Sequence, residues 1–497
     1  MRLKGSVCAG LIALGLSTSS AFAQDVLIEN VTVLAPAGQP ALSNANVLIR
    51  EGRIAEVGTV RLNAAPGAVR LDGRGKFLTP GLMDSHVHVS HTPGLPHPAF
   101  DKSKRAQDLR DAYFRQQPRD YLYFGVTQVL DLLNTAEGLE TFRSQPLHPD
   151  LFHCGQVPVI DGYGVETYLD PSIRYKDNPN YVFEPANQAE HPMPAGADPR
   201  EHTPEAVVQR IAASGALCVK VLIEDGFGKS TNLPLISNAT IQRIRTLAHE
   251  RNLLVVAHAN AIDMLRIAVA NDVDVIAHGT WNWLDADNKP GVPDEIASQL
   301  REVHRKNIGF QPTLQVIAGL GAQFDPATLE DPLYKKVVPS TVLAWYHTED
   351  GKFFKNMERG FWPKDMSEAQ ILNTYRRIGD QGARALKYLY DLGHPLLLGS
   401  DTPSSPTFGN QPGYNTYLEI QMMARAGIPP RAIFDAGTIN NARQFRLDKD
   451  YGTVERGKIA NLLLLQANPL ENTQAWGRID KVILRGKVLE RESLAVR

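Results

Sequence analysis

The stretch GLMDSHVHV, residues 81–89, is an apolar run that carries two histidines one residue apart near its end. In a strand, residues i and i+2 point to the same side, so His86 and His88 project together. Seven further short apolar runs come after it: 126–132, 151–157, 217–223, 253–259, 273–279, 308–314 and 395–401. Helical patterns separate most of them. In TPEAVVQRIAASG (203–215), Thr203 stands as N-cap and Pro204 at the first helical position. In 367–393, Ser367 and Gln370 have the spacing of a capping box. Strands alternating with helices imply parallel strands joined by right-handed crossovers. Eight such units predict an α/β fold, a (β/α)8 TIM-type barrel with long loops. A doubly wound open sheet is the alternative, and no glycine-rich phosphate loop succeeds the first run to favour it.

Outside this region the period changes. DVLIENVTVL (25–34) and ANVLIREGRIAEVG (45–58) alternate apolar and polar residues, with REGR as a hairpin turn. IANLLLLQANPL (459–470) and IDKVILRGKVLE (479–490) read alike, with a turn at Arg485-Gly486. Each set is too small for a stable sheet of its own. Together they predict a small β-sandwich domain built from both termini, 24–78 with 447–497, around a barrel at 79–446.

The chain has 497 residues, which suits one large domain plus something smaller. Apolar residues make up 43% and charged residues 21%, an ordinary globular balance. A formal charge of −2 gives no reason to expect a nucleic-acid or anionic-membrane partner. Arg2 and Lys4, an apolar stretch from Val7 to Leu16, and Ala21-Phe22-Ala23 read as a signal peptide over 1–23. That predicts export, to the periplasm or the medium, without stable membrane insertion. Cys8 falls within it. Cys154 and Cys218 are too few for a disulfide scaffold and read as buried free thiols, with a single bridge as the alternative in an oxidising compartment. Two connections are unusually long and rich in aromatics: 160–200 with Tyr163, Tyr168, Tyr175 and Tyr181, and 320–366 with Tyr334, Trp345, Tyr346, Phe353, Phe354, Phe361 and Trp362. Such loops either cover a site or simply pack on the barrel.

The chemistry gathers at the ends of the runs. His258 closes LLVVAHA, His278 closes VDVIAHG, and Asp401 closes PLLLGSD. Barrel enzymes place their chemistry where strands meet their C-terminal loops. A buried imidazole or carboxylate there is costly unless paired or ligated. Imidazoles with a carboxylate suit zinc, and also manganese, iron or cobalt. Lys220 lies inside LCVKVLI, where desolvation should depress its pKa and leave a neutral amine able to add carbon dioxide. The resulting carbamate has two oxygens and can bridge two metals. A lysine paired with Glu224 or Asp225, or one snorkelling outward, is the alternative. Asp84 reads either as an orienter of ligands or as a strand-end hydrogen-bonding residue.

These residues resemble the amidohydrolase superfamily. FLTPGLMDSHVHV (77–89) resembles its opening strand, and GTVERGKIANLLLL (452–465) resembles the return into its small β domain, with Asn461 where an aspartate is common. The resemblance implies metal ligands His86, His88, Lys220, His258, His278 and Asp401. The lysine resembles the two-metal branch, which includes prolidase-like and carboxypeptidase-like members. The implied site holds two divalent metal ions, zinc first, and a carbamate on Lys220. In the expected mechanism a metal-bridging hydroxide attacks a carbonyl, and Asp401 carries the proton to the leaving amine. The predicted function is amide hydrolysis in a small peptide-like or N-acyl amino acid substrate. A lactonase, cyclic amidase or phosphotriesterase on the same centre, a single-metal deaminase and a non-catalytic binding protein are the alternatives. A homo-oligomer stays open.

Overall fold

Strand β1 (Val26–Val33) buries Val26, Ile28, Val31 and Val33, and β2 (Leu42–Arg50) buries Val47 and Ile49 against them. The hairpin to β3 (Arg53–Gly58) turns at Glu51 and Gly52, both at positive φ (49° and 75°), as a two-residue turn requires. These strands belong to a computed structural model that describes residues 24–164, 173–187, 189–227, 232–404 and 406–496. The signal-peptide reading, Cys8 and Tyr168 lie outside the described residues.

Next come β4 (Val69–Asp72) and β5 (Phe77–Pro80), and from the far end β13 (Leu462–Leu465), β14 (Ile479–Leu484) and β15 (Lys487–Glu490). They join as one mixed sheet in the order β15-β14-β13-β5-β1-β2-β3, with β4 pairing β1. The turn at Arg485 and Gly486 is present (φ 47° and 79°). Both termini therefore build the small β unit, joined directly where β5 pairs antiparallel with β13.

Asn461, which precedes β13, explains its own departure from aspartate. It is buried, its Nδ2 donates to Asp150 Oδ2 at 2.7 Å, and its Oδ1 accepts from Arg485 N at 2.7 Å. An aspartate would set two carboxylates against each other and remove the donor. Asn461→Asp is expected to cost about 1–3 kcal/mol in urea unfolding; an unchanged midpoint would refute this role.

Seven of the eight apolar runs form parallel strands: β6 (Leu82–Val87), β7 (Val126–Asp131), β8 (Asp150–Val157), β9 (Cys218–Leu222), β10 (Leu254–His258), β11 (Val275–Ala277) and β12 (Gly309–Gln311), paired in sequence order. Alternate residues such as Met83, Leu130, Cys218, Val256 and Ala277 cluster inside the ring, while Val219, Val221, Val255 and Ile276 pack outward with the helices. The helices Pro204–Ala213 and Glu368–Asp391 begin on the expected caps, Thr203 and the Ser367–Gln370 capping box.

The eighth run differs from a regular strand. Residues 395–401 lie beside β6 through single bonds, Ser85 N to Leu398 O (3.0 Å) and Asp401 N to His86 O (2.7 Å). No ladder joins them to β12 among the described residues. Pro395 offers no N–H, and Gly399 passes so close that an added Cβ would lie 2.9 Å from His86 Cβ. Side chains close the seam instead. Gln311 donates to Ser85 O at 2.6 Å, and Asn441 donates to Met83 O and Leu398 O at 2.8 Å each.

The reading of Cys154 and Cys218 as free thiols is corrected. They form a disulfide. Although 64 residues apart, they are register partners on β8 and β9, with Cα atoms 4.5 Å apart in the barrel interior. Strand register, which spacing does not reveal, brings them together. Changing both to alanine is expected to lower stability by about 4 kcal/mol on the loop-entropy relation; an equal thermal midpoint in the double variant would show that the bridge is not a stabilising crosslink.

Candidate metal centre

β6 ends at Val87, so His86 is its penultimate residue and His88 comes directly after it. Both converge on Asp401. His86 Nε2 lies 3.1 Å and His88 Nε2 2.6 Å from Asp401 Oδ1, while His278 Nδ1 lies 3.4 Å from Asp401 Oδ2. His258, the last residue of β10, places its ring 4.5 Å from that of His278. Lys220, in the middle of β9, is 3% exposed and makes no hydrogen bond or ion pair among the described residues. Glu224, an alternative partner for it, faces His258 instead. All six expected site residues are buried at one end of the barrel. Among them, His86, His278 and Asp401 set one potential ligand atom each within 4.8 Å of one another.

Burial dominates the electrostatics. It depresses the His86 imidazole to about 3 against the pull of Asp401, and it pushes His258 and His278 below their ordinary value. It lowers Lys220 to about 7, although the Asp401 charge opposes the shift. Burial alone would raise Asp401, but the neighbouring His86 and His278 rings and the hydrogen bond from His88 hold it well below the usual carboxylate range. His88 goes the other way. The carboxylates of Asp131 and Asp401 outweigh burial and raise it to about 9. The imidazoles of His86, His258 and His278, held neutral beside a carboxylate, are a donor set that a divalent cation takes. The chain leaves donors free for one. Both nitrogens of His86 and Nδ1 of His88 are buried without a hydrogen-bond partner. The 3.1 Å approach of His86 to Asp401 is thus a close contact rather than a well-aligned hydrogen bond. Such atoms are costly in a dry site and are satisfied by ligation.

The backbone supports this arrangement in ways that residue spacing does not show. His278 (φ 109°), Asp401 (φ 53°) and Thr313 (φ 41°) stand at positive φ just past strand ends. Such strain gathers at functional sites. Asp84 works behind the histidines. Its Oδ1 accepts from the backbone N–H groups of His86 and Ser400, and its Oδ2 accepts from Ser400 Oγ and Thr416 Oγ1 at 2.6 Å each. It ties β6 to the segment carrying Asp401 and hydrogen-bonds no imidazole nitrogen. Asp131, which no motif in the sequence singles out, accepts from Val89 N at 2.9 Å and approaches His88 Nδ1 to 3.8 Å.

Of the loop aromatics, Tyr163 reaches the centre, its ring 4.3 Å from that of His258. Phe227 and Trp281 extend this wall, Phe227 edge-on to Tyr163 at 5.5 Å and Trp281 at 5.8 Å from His278. Others fasten loops. Tyr334, Trp345 and Tyr346 donate to the carbonyls of Phe408, Gly94 and Pro93. Tyr181 stacks on His202 at 3.8 Å and meets Tyr175 at 4.7 Å, and Trp362 packs against Tyr375. Phe354 is buried, whereas Phe353 and Phe361 are exposed.

The fold is thus a parallel barrel with imidazoles and a carboxylate gathered where its strands end. The amidohydrolase family model matches residues 339–489, a segment holding Asp401 and the return into the small sheet, and this match supports an enzyme of the hydrolase class. Its fold is similar to that of a Xaa-Pro dipeptidase solved with methionine in the active site, at 19% identity and TM-score 0.64, covering 94% of this chain and 100% of that one. It is similar also to A. niger ochratoxinase (19%, 0.64, 94% and 96%) and to molinate hydrolase (17%, 0.64, 95% and 96%). No curated protein matches the sequence.

Proposed function

We propose that this enzyme hydrolyses an amide bond in a peptide-like or N-acyl amino acid substrate at a centre of two divalent metal ions. The observation that carries the reading is the buried Asp401 set among His86, His88 and His278, beside His86 nitrogens that have no hydrogen-bond partner. In this reading His86, His88, His258, His278 and Asp401 would hold the ions, and Lys220, as its carbamate, would supply further oxygen donors. When bound, the ions supply Lewis-acid polarisation of the scissile carbonyl and a nucleophile available at neutral pH. Asp401 takes the proton of the attacking water on its carboxylate and delivers it to the leaving amine, a task that needs the ionised form burial would otherwise oppose. Tyr163, Phe227 and Trp281 offer an apolar wall beside His258 and His278, which suits an apolar side chain and excludes water. The names of the similar structures, a dipeptidase among them, agree with this substrate class. Export fits both the character of residues 1–23 and the disulfide, since such bridges persist in oxidising compartments.

The test is metal content per chain by elemental mass spectrometry, with turnover of dipeptides and N-acyl amino acids measured on the same preparation. About two zinc-like ions with hydrolysis supports the reading. A single ion with ammonia release supports a deaminase, which the tight grouping of His86, His278 and Asp401 among the described residues would favour. No metal after supplementation, with tight ligand binding, makes the chain a binding protein.

A further inference from the structure

Glu224 stands two residues past the end of β9 and four past Lys220, and it is fully buried. Its two oxygens face different ways. Oε1 accepts from the backbone N–H groups of Gly226 (3.2 Å) and Phe227 (2.6 Å). Oε2 lies 3.6 Å from Nε2 of His258. Both of these atoms are buried and neither has a hydrogen-bond partner. The backbones are already joined, because Ile223 N donates to His258 O at 3.0 Å, so carboxylate and ring are held opposite each other. A carboxylate oxygen and an imidazole nitrogen left open in a dry interior each carry a desolvation penalty, and one short charge-assisted hydrogen bond removes both.

We propose that Glu224 is the positioning residue of His258: its Oε2 takes the Nε2–H, fixes that tautomer, and leaves Nδ1 as the nitrogen with a free lone pair for the centre. The proposal rests on the reading of His258 as a metal-holding residue. Histidines that ligate metals usually donate their other ring N–H to a carboxylate, carbonyl or water, which sets both tautomer and ring orientation. Glu224 does a second thing with the same side chain. Its Oε1 holds the turn in which Phe227 sits at φ 60°, and Asn282 Nδ2 grips the Phe227 carbonyl from the other side at 2.5 Å. The Phe227 ring meets Tyr163, and Tyr163 lies on the face of His258. One carboxylate therefore sets the imidazole and the aromatic wall beside it in a fixed relation.

The experiment uses full-length protein labelled with nitrogen-15 at histidine, with the His258 signals assigned by their loss in His258→Asn. In metal-free wild-type protein the His258 ring is expected as the Nε2–H tautomer. Glu224→Gln keeps the shape and the acceptor toward Gly226 and Phe227 but can turn an N–H toward the ring. It is expected to switch His258 to the Nδ1–H tautomer and to weaken zinc binding by about 10–100-fold in a chelator competition. A wild-type Nδ1–H tautomer overturns the proposal, as does a Glu224→Gln variant that binds zinc as wild type does. Should Glu224→Gln fail to fold, the wild-type tautomer decides alone. Wild-type protein that binds no zinc would refute the two-metal reading, and the tautomer would still decide the role of Glu224.

Discussion

Replacing Asp401 by asparagine is expected to lower kcat by about 10²–10⁴-fold while most of the metal stays bound. The substitution keeps shape and one oxygen, so the geometry around His86, His88 and His278 can persist. It removes the negative charge and with it the ability to accept a proton. It also turns an amide N–H toward a ring nitrogen that now faces a carboxylate. Most ligands in the proposed set survive, which is why metal content and turnover should separate. Paired measurements of kcat and metal per chain read this directly. A variant with near-normal turnover excludes Asp401 as the proton carrier, and a variant that loses its metal and its turnover together makes Asp401 chiefly a ligand.

The second large effect is expected at Lys220. Lys220→Ala should lose metal and turnover together, and formate or acetate should restore part of both by standing in for the carbamate oxygens. Full metal content and activity in this variant would rule the carbamate out. The same residue makes a prediction about the metal-free protein. Its pKa falls from an ordinary 10.5 unfolded to about 7 in the folded chain, chiefly through burial. Between those values the unfolded state binds the proton and the folded state does not, so stability should rise with pH from about 7 to 10.5. Lys220→Met removes the titration and should flatten that rise. An unchanged slope would mean that the rise comes from other groups.

The ring of candidate ligands was legible because strand ends are legible. His86 and His88 are read from a two-residue period, and His258 falls on the last residue of β10. The aim of those just beyond the strands was not. His278 and Asp401 owe their aim to positive-φ backbone that no spacing reveals, and the segment carrying Asp401 is an irregular seam rather than a ladder. Cys154 and Cys218 meet through the relative register of β8 and β9, a tertiary quantity. Glu224 offered itself in sequence as a partner for Lys220, four residues away, because proximity along the chain is visible and a neighbouring strand is not. It turns to His258 instead. The helix caps at Thr203 and Ser367 were readable for the opposite reason, since donor and acceptor lie within one turn.

The junction of β5 with β13 also sets an order of events during synthesis. The edge of β5 emerges from the ribosome before any residue of the barrel, yet its partner is made only after the barrel is complete. Until then the first strands present unpaired backbone, the kind of edge to which another chain can add. The small sheet is thus the last part to be finished although five of its strands are made first. Its closing pairing, Phe77 with Leu465 and Pro80 with Leu462, spans most of the chain, the sort of long-range contact that slows folding. A nascent chain of this protein has to wait for its own end, and holding that edge free of other partners in the meantime falls to whatever accompanies it.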